Sequence, residues 1–342
     1  MDRVSSSLAL GLSLAAALTL PVGADGAGTS KLANTIAFLR SRAVWVAEAD
    51  GSGARKLTAE RTGIDAFLFS PDLRYLAYTA VVGSAALPWL QDRAEAVPRR
   101  STCAVMALDL ETGRTFKAAD AGWFDIIRWL PGDRLFFCAS DGFAVTGYSL
   151  ADVPGHSVRE LASCDERTMG SDFSRDGSLE AYVDDSGRDL HLVRRDTGSD
   201  ALLVSGKGNI TDVRISNDKK TVAFLQVEAV ERVYSDILWL YDRESASCLS
   251  LYRGPSHSKS GSINCLAWSP DDRYIGMLFS PQAIILDVRD SGQAKTIRGE
   301  NPSWIAKDEL IVNRRNDLFV HDLATGADRL LVKDATGAVF LR

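Results

Sequence analysis

The side chains best suited to hold a transition metal or pass a proton are four histidines, His156, His191, His257 and His321. Their places in the repeat set out below argue against both uses. His156 falls in a turn, His191 and His321 in third strands, and His257 in a loop between repeat units. Such positions lie at different radii and on different ends, so convergence on one ion is not expected. No Gly-x-Ser-x-Gly nucleophile elbow exists. Ser205-Gly206-Lys207-Gly208 lacks the spacing of a phosphate loop and reads as a connection between units. Asp184-Asp185-Ser186-Gly187-Arg188-Asp189 offers carboxylates to Ca²⁺, or else forms a polar hairpin loop; the full calcium-loop spacing is absent. The five cysteines, Cys103, Cys138, Cys164, Cys248 and Cys265, form no CxxC pair and are expected to be small buried apolar residues. No metal and no cofactor is expected.

The elements that would position these residues come from an internal repeat. Trp268-Ser269-Pro270-Asp271-Asp272-Arg273-Tyr274-Ile275-Gly276-Met277 reads as strand, tight turn, strand, with Pro270 presetting φ and Asp271 able to accept backbone N–H groups. The pattern returns at Phe69-Ser70-Pro71-Asp72, Phe173-Ser174-Arg175-Asp176 and Ile215-Ser216-Asn217-Asp218. Shorter versions begin at Trp129 and Trp304. Each is followed by a second hairpin with Asp/Thr/Ser-Gly turn chemistry, as in Asp109-Leu110-Glu111-Thr112-Gly113 and Asp322-Leu323-Ala324-Thr325-Gly326. Six first hairpins and seven second hairpins leave one first hairpin to be assembled from the chain ends: Ala338-Val339-Phe340-Leu341 beside residues 35–39. The expectation is an all-β, seven-bladed β-propeller with four-stranded antiparallel blades, closed by N- and C-terminal strands in one blade. The aromatic residues that recur before the turns, Phe69, Trp129, Phe173, Trp268 and Trp304, are expected to pack between blades.

Ile36-Ala37-Phe38, Asp50-Gly51-Ser52-Gly53-Ala54-Arg55-Lys56-Leu57-Thr58 and Phe69-Ser70-Pro71-Asp72 together resemble the TolB-like, WD40-like (PD40) propeller repeat. The resemblance implies the propeller fold over residues 35–342, without the N-terminal domain of TolB and without the hydrolase domain of prolyl-oligopeptidase relatives. It implies no particular activity. Oligogalacturonide lyases with similar repeats hold a metal through several histidines on one face, an arrangement not expected here.

With 46% hydrophobic residues the chain is long enough for a large core, and its net charge of −6 without any Lys/Arg block speaks against nucleic acid and anionic membranes. Residues 8–20 are apolar apart from Gly, Ser and Thr, too short to span a bilayer, and lead to Pro21 and Val22-Gly23-Ala24. Residues 1–24 read as a secretory signal cut after Ala24, residues 25–34 as a linker. A periplasmic or extracellular monomer with no membrane span after cleavage is expected.

In a propeller the B–C and D–A loops share one end. There the sequence departs from its repeat, with a B–C insertion over residues 82–101 and loops over residues 228–234 and 253–262. Trp89, Arg99, Arg100, Arg232, Tyr234, Arg253 and His257 are the candidate binding residues, because Trp, Tyr and Arg bury large areas while keeping a polar handle. The expected function is a non-catalytic binding scaffold for a protein or peptide. The alternative is a propeller-type lyase or hydrolase acting on a carbohydrate or small substrate at the channel mouth.

Overall fold

The computed structural model describes residues 32–58, 63–86, 99–122, 124–140, 145–161, 171–184, 186–207, 209–230, 233–255, 266–279, 282–290 and 293–341. Twenty-eight strands form seven four-stranded antiparallel sheets. Blade 1 joins the chain ends: β1 (Thr35–Arg40), β2 (Ala43–Glu48), β3 (Arg55–Lys56) and, innermost, β28 (Thr336–Leu341). Thr35 pairs with Leu341 and Ala37 with Val339, which is the closure expected from the sequence.

The other blades run from inner to outer strand in chain order. Blade 2 is β4 (Gly63–Phe69), β5 (Tyr75–Ala86), β6 (Arg99–Asp109) and β7 (Thr115–Gly122). Blade 3 is β8 (Phe124–Leu130), β9 (Arg134–Ser140), β10 (Val145–Asp152) and β11 (Ser157–Leu161). Blade 4 is β12 (Ser171–Phe173), β13 (Leu179–Val183), β14 (Leu190–Arg194) and β15 (Ser199–Val204). Blade 5 is β16 (Asn209–Ile215), β17 (Thr221–Val230), β18 (Val233–Asp242) and β19 (Ser247–Pro255). Blade 6 is β20 (Ala267–Trp268), β21 (Tyr274–Phe279), β22 (Gln282–Asp287) and β23 (Ala294–Arg298). Blade 7 is β24 (Glu300–Trp304), β25 (Glu309–Arg314), β26 (Asp317–Asp322) and β27 (Asp328–Val332).

The Ser-x-Asp signature explains the A–B turns. The Ser269 hydroxyl accepts the Tyr274 N–H at 2.9 Å and donates to Asp271 at 2.8 Å. Ser70, Ser174 and Ser216 repeat both bonds with Asp72, Asp176 and Asp218. A buried hydroxyl thus satisfies the first N–H of the second strand, and the carboxylate holds the hydroxyl in place. The residue three after each serine is left-handed: Leu73, Gly177, Lys219 and Asp272 have φ of 61°, 69°, 64° and 55°. Glycine alone adopts this without strain, so the bonds of the motif must hold the other three. The C–D turns follow their own chemistry. Asp109 and Asp322 each accept two backbone N–H groups, and Gly113 and Gly326 take the left-handed position.

The aromatic residues before the A–B turns join neighbouring blades, as the repeat implied. Trp129 donates its indole N–H to Leu68 O (3.1 Å), Trp268 to Arg214 O (3.2 Å) and Trp304 to Ala267 O (3.0 Å). Tyr75 stacks on Trp129, and Tyr274 on Trp304. Apolar clusters fill the junctions of blades 1/2, 2/3, 4/5, 5/6, 6/7 and 7/1. Among the described residues no such cluster fills the junction of blades 3 and 4. That junction instead encloses a cleft of 270 Å³.

Two readings from sequence are corrected. The insertion over residues 82–101 is not irregular throughout: β5 runs to Ala86 and β6 starts at Arg99, with Ala86 paired to Arg99. Residues 228–230 and 233–234 likewise continue the strands, Ala229 pairing with Tyr234 and Val230 with Val233. In both places the B and C strands go on pairing beyond the body of the blade, where a repeat boundary suggested a loop. Cys103 and Cys138 are buried as expected, but Cys248 is exposed, because it sits on an outer strand whose residues face solvent. Cys164 and Cys265 lie outside the described residues.

Candidate functional site

Two places gather polar chemistry: a belt on the inner strands, and the end of the cylinder bearing the B–C hairpins. An inner strand has one unpaired edge, so its backbone groups need partners from elsewhere. Blades 3, 4 and 5 supply such partners through charged side chains. Arg128 donates to the carbonyl oxygen of Ser171. Asp172 accepts the Ile215 N–H at 2.8 Å. A shift of register in β16 between Ile210 and Asp212 turns Asp212 toward blade 6, where it accepts the Leu266 N–H at 3.1 Å. Asp212 also takes Arg214 Nη1 at 2.6 Å, and Arg214 Nε donates to Leu266 O at 3.1 Å.

Burial pushes the carboxyls of Asp172 and Asp212 above the ordinary carboxylate value, and the Arg214 guanidinium opposes that rise in both. Two acids with raised pKa values beside an arginine have the makings of acid–base chemistry. Each, however, already joins one blade to the next by accepting a backbone N–H.

The hairpin end holds those residues singled out from sequence that the structure describes. Blades 2 and 5 stand three places apart around the ring, the greatest separation seven blades allow. Their B and C strands are long: β5 and β6 have 12 and 11 residues and β17 and β18 have 10 each, against 6 in each of β21 and β22. In blade 2 the inner strand stops pairing at Val81 and the outer strand at Cys103. Among the described residues, 82–86 and 99–102 therefore pair only with each other, as a ribbon about 15 Å long at roughly 3.3 Å per residue. Val82 at its base is 56% exposed.

Arg99 and Arg100 lie on β6 in this ribbon, and Tyr234 lies on β18 in that of blade 5. Arg253, on β19, is exposed and pairs with Glu228 at 2.6 Å. Trp89, Arg232 and His257 lie outside the described residues. The ribbons bring Arg99 and Arg100 together on one blade, and Tyr234 and Arg253 on another. Sequence reasoning missed Asp172 and Asp212. Their only signal was an acid one or three places before the residue that precedes the Ser-x-Asp turn.

The other candidates resolve individually. His156 stacks on Phe116 in blade 3's C–D turn region. His191 contacts Asp200 at 3.1 Å and stacks on Tyr182, whose hydroxyl donates to the same carboxylate at 2.6 Å. His321 contacts Asp328 at 2.8 Å, and Arg314 grips that carboxylate through both terminal nitrogens. The Arg314 bonds, with His321 adding to them, hold Asp328 below its ordinary pKa. These three histidines stand on blades 3, 4 and 7. Among the described residues no group of three His, Cys, Asp or Glu side chains is placed to hold a metal ion. Asp184 spends one oxygen on the N–H groups of Arg188 and Asp189 and the hydroxyl of Ser186, the work of a hairpin loop. Lys207 lies 3.9 Å over the Trp239 ring in the connection between blades 4 and 5.

Among solved structures, the chain is similar to a candidate 6-phosphogluconolactonase from Bacteroides fragilis, at 13% identity and a TM-score of 0.51, covering 92% of this chain and all of that one. It is also similar to TolB from Acinetobacter baumannii, at 14% identity and a TM-score of 0.46, covering 90% of this chain and 65% of TolB. A third is an oligogalacturonate lyase in complex with manganese, at 14% identity and a TM-score of 0.49, covering 75% of each chain. Likeness to the first of these, at 13% identity, bears on the fold alone and leaves activity open. No family model matches the chain, and no curated protein matches it.

Proposed function

We propose that this chain is an exported, TolB-like, non-catalytic binding scaffold, and that a protein or peptide docks on the end of the cylinder bearing the B–C hairpins. The blade 2 ribbon carries this reading. Two strands with both outer edges unpaired among the described residues offer backbone donors and acceptors that an extended segment of a partner can complete as an added strand. Arg99 and Arg100 stand on that ribbon, and Trp89 belongs to the segment joining its strands. The apolar run before Val22-Gly23-Ala24 supports export to the periplasm or beyond, with a mature chain starting at Asp25. Among the described residues no helix is long and apolar enough to cross a membrane.

The test is capture from envelope extract by the immobilised mature protein, beside a variant whose residues 82–101 are replaced by a two-residue turn. A partner held by the first and lost by the second supports the reading. One held equally by both argues against it.

The enzymatic alternative, a lyase or hydrolase at the channel mouth, draws on Asp172 and Asp212, the acids whose protonation burial favours. Turnover of a carbohydrate or lactone that Asp212→Asn abolishes, in a variant still folded, would favour it over the scaffold.

A further inference from the structure

The cleft between blades 3 and 4 lies in the other half of the cylinder, beside the A–B turn of blade 3 and the C–D turn of blade 4, and is independent of the ribbon surface. Its apolar lining is Leu130, Leu150 and Leu161 from blade 3 and Phe173 from blade 4, all half-buried; Phe136, which also borders it, is fully buried and stacks on Tyr148. Its charged lining is Arg134, Arg159, Arg195 and Glu180, an excess of two positive charges. Glu180 is taken by Arg195 at 2.8 Å, and Arg195 lies 5.5 Å over the Phe173 ring. Arg134 uses Nε on Pro131 O, and neither it nor Arg159 has a carboxylate partner among the described residues.

We infer that this cleft binds a small organic acid, one carboxylate on an apolar body the size of a phenyl ring. Three observations converge. Among the described residues no apolar cluster spans this junction, which holds a cleft of 270 Å³; the larger cavity where blades 7, 1 and 2 meet, 420 Å³, is lined by Ser41, Arg42, Asn316 and Asp334 and lacks an aromatic ring. An apolar cavity of about 150 Å³ already holds benzene, so a ring with a carboxylate fits. The guanidinium fork matches a carboxylate through two parallel hydrogen bonds, and Arg134 and Arg159 flank the apolar lining. A bare inorganic anion would leave that lining uncovered. The acid can be a free metabolite or the carboxy-terminal residue of a peptide, since both present the same chemistry.

Titration calorimetry of the mature protein with phenylacetate, phenylacetamide, inorganic phosphate and N-acetylphenylalanine tests the inference. Phenylacetate should bind, and phenylacetamide should not. Arg134→Gln with Arg159→Gln should weaken phenylacetate at least about tenfold, as loss of charge-assisted hydrogen bonds implies. Leu150→Trp, which fills the cleft without touching a charge, should abolish binding and serves if the double variant does not fold. Binding of N-acetylphenylalanine tighter than phenylacetate assigns the acid to a chain terminus, and the reverse order to a free metabolite. No phenylacetate binding, equal binding to Leu150→Trp, or phosphate binding as tight as phenylacetate overturns the inference.

Discussion

The indole N–H of Trp304 reaches 3.0 Å across a blade boundary to the carbonyl oxygen of Ala267, the residue just before the equivalent aromatic, Trp268, of blade 6. Trp268 makes the same reach to Arg214, and Trp129 to Leu68. At these three junctions one side chain thus both fills apolar space and satisfies a carbonyl of the neighbouring inner strand. Trp304→Phe, which keeps most of the packing, should cost about 1 kcal/mol for the lost bond. Trp304→Ala should cost about 3–5 kcal/mol. Urea unfolding of both variants checks this; an unchanged stability of Trp304→Phe would mean that the hydrogen bond contributes nothing, and equal losses in both that the ring packing contributes nothing.

Ring closure rests on β28 lying inside β1. Ala338 and Leu341 are buried, and the Asn34 N–H donates to Leu341 O at 2.7 Å. Removing residues 338–342 opens the blade 7/1 junction and exposes the apolar cluster around Ile36 and Phe38. A loss of several kcal/mol is expected at roughly 25 cal/mol per Å² of apolar surface, with dye binding to the exposed patch. An unchanged melting temperature would contradict the closure.

Asp172 makes stability depend on pH with a definite sign. Burial raises its folded-state pKa above the unfolded value, ordinarily about 3.9. The folded state therefore holds the proton more tightly. That contribution is full below the unfolded value and is lost as pH rises through the folded one. Asp172→Asn keeps an oxygen for the Ile215 N–H but cannot ionise. The stability of this variant relative to the parent should rise with pH from about 4 upward. Parallel stability curves for the two proteins would count against a raised pKa.

Much of the architecture was legible because the turns are local chemistry. Ser70, Asp72 and their counterparts build the A–B turns from bonds within five residues, and Asp109 with Gly113 does the same for a C–D turn. Trp129, Trp268 and Trp304 announced the junctions by recurring at one position. The ribbons were hidden because residues 82–86 and 99–102 are stabilised by pairing with each other, a relationship absent from either stretch alone. The acid belt was hidden because Asp172 and Asp212 bond to blades 43 and 54 residues further along the chain. The cleft was harder still. Leu130 and Leu150 look like core residues in sequence, and only the arrangement of the blades places them on a cleft between blades 3 and 4.

A partner held by the blade 2 ribbon is the central expectation for this protein. Once a partner has been captured, its affinity should be measured for the parent protein and for the variant carrying Trp89→Ala, Arg99→Ala and Arg100→Ala. A loss of more than about 2 kcal/mol, about 30-fold in Kd, with an unchanged melting temperature is expected. Binding as tight as that of the parent would show that the hairpin is a passive extension of the sheet.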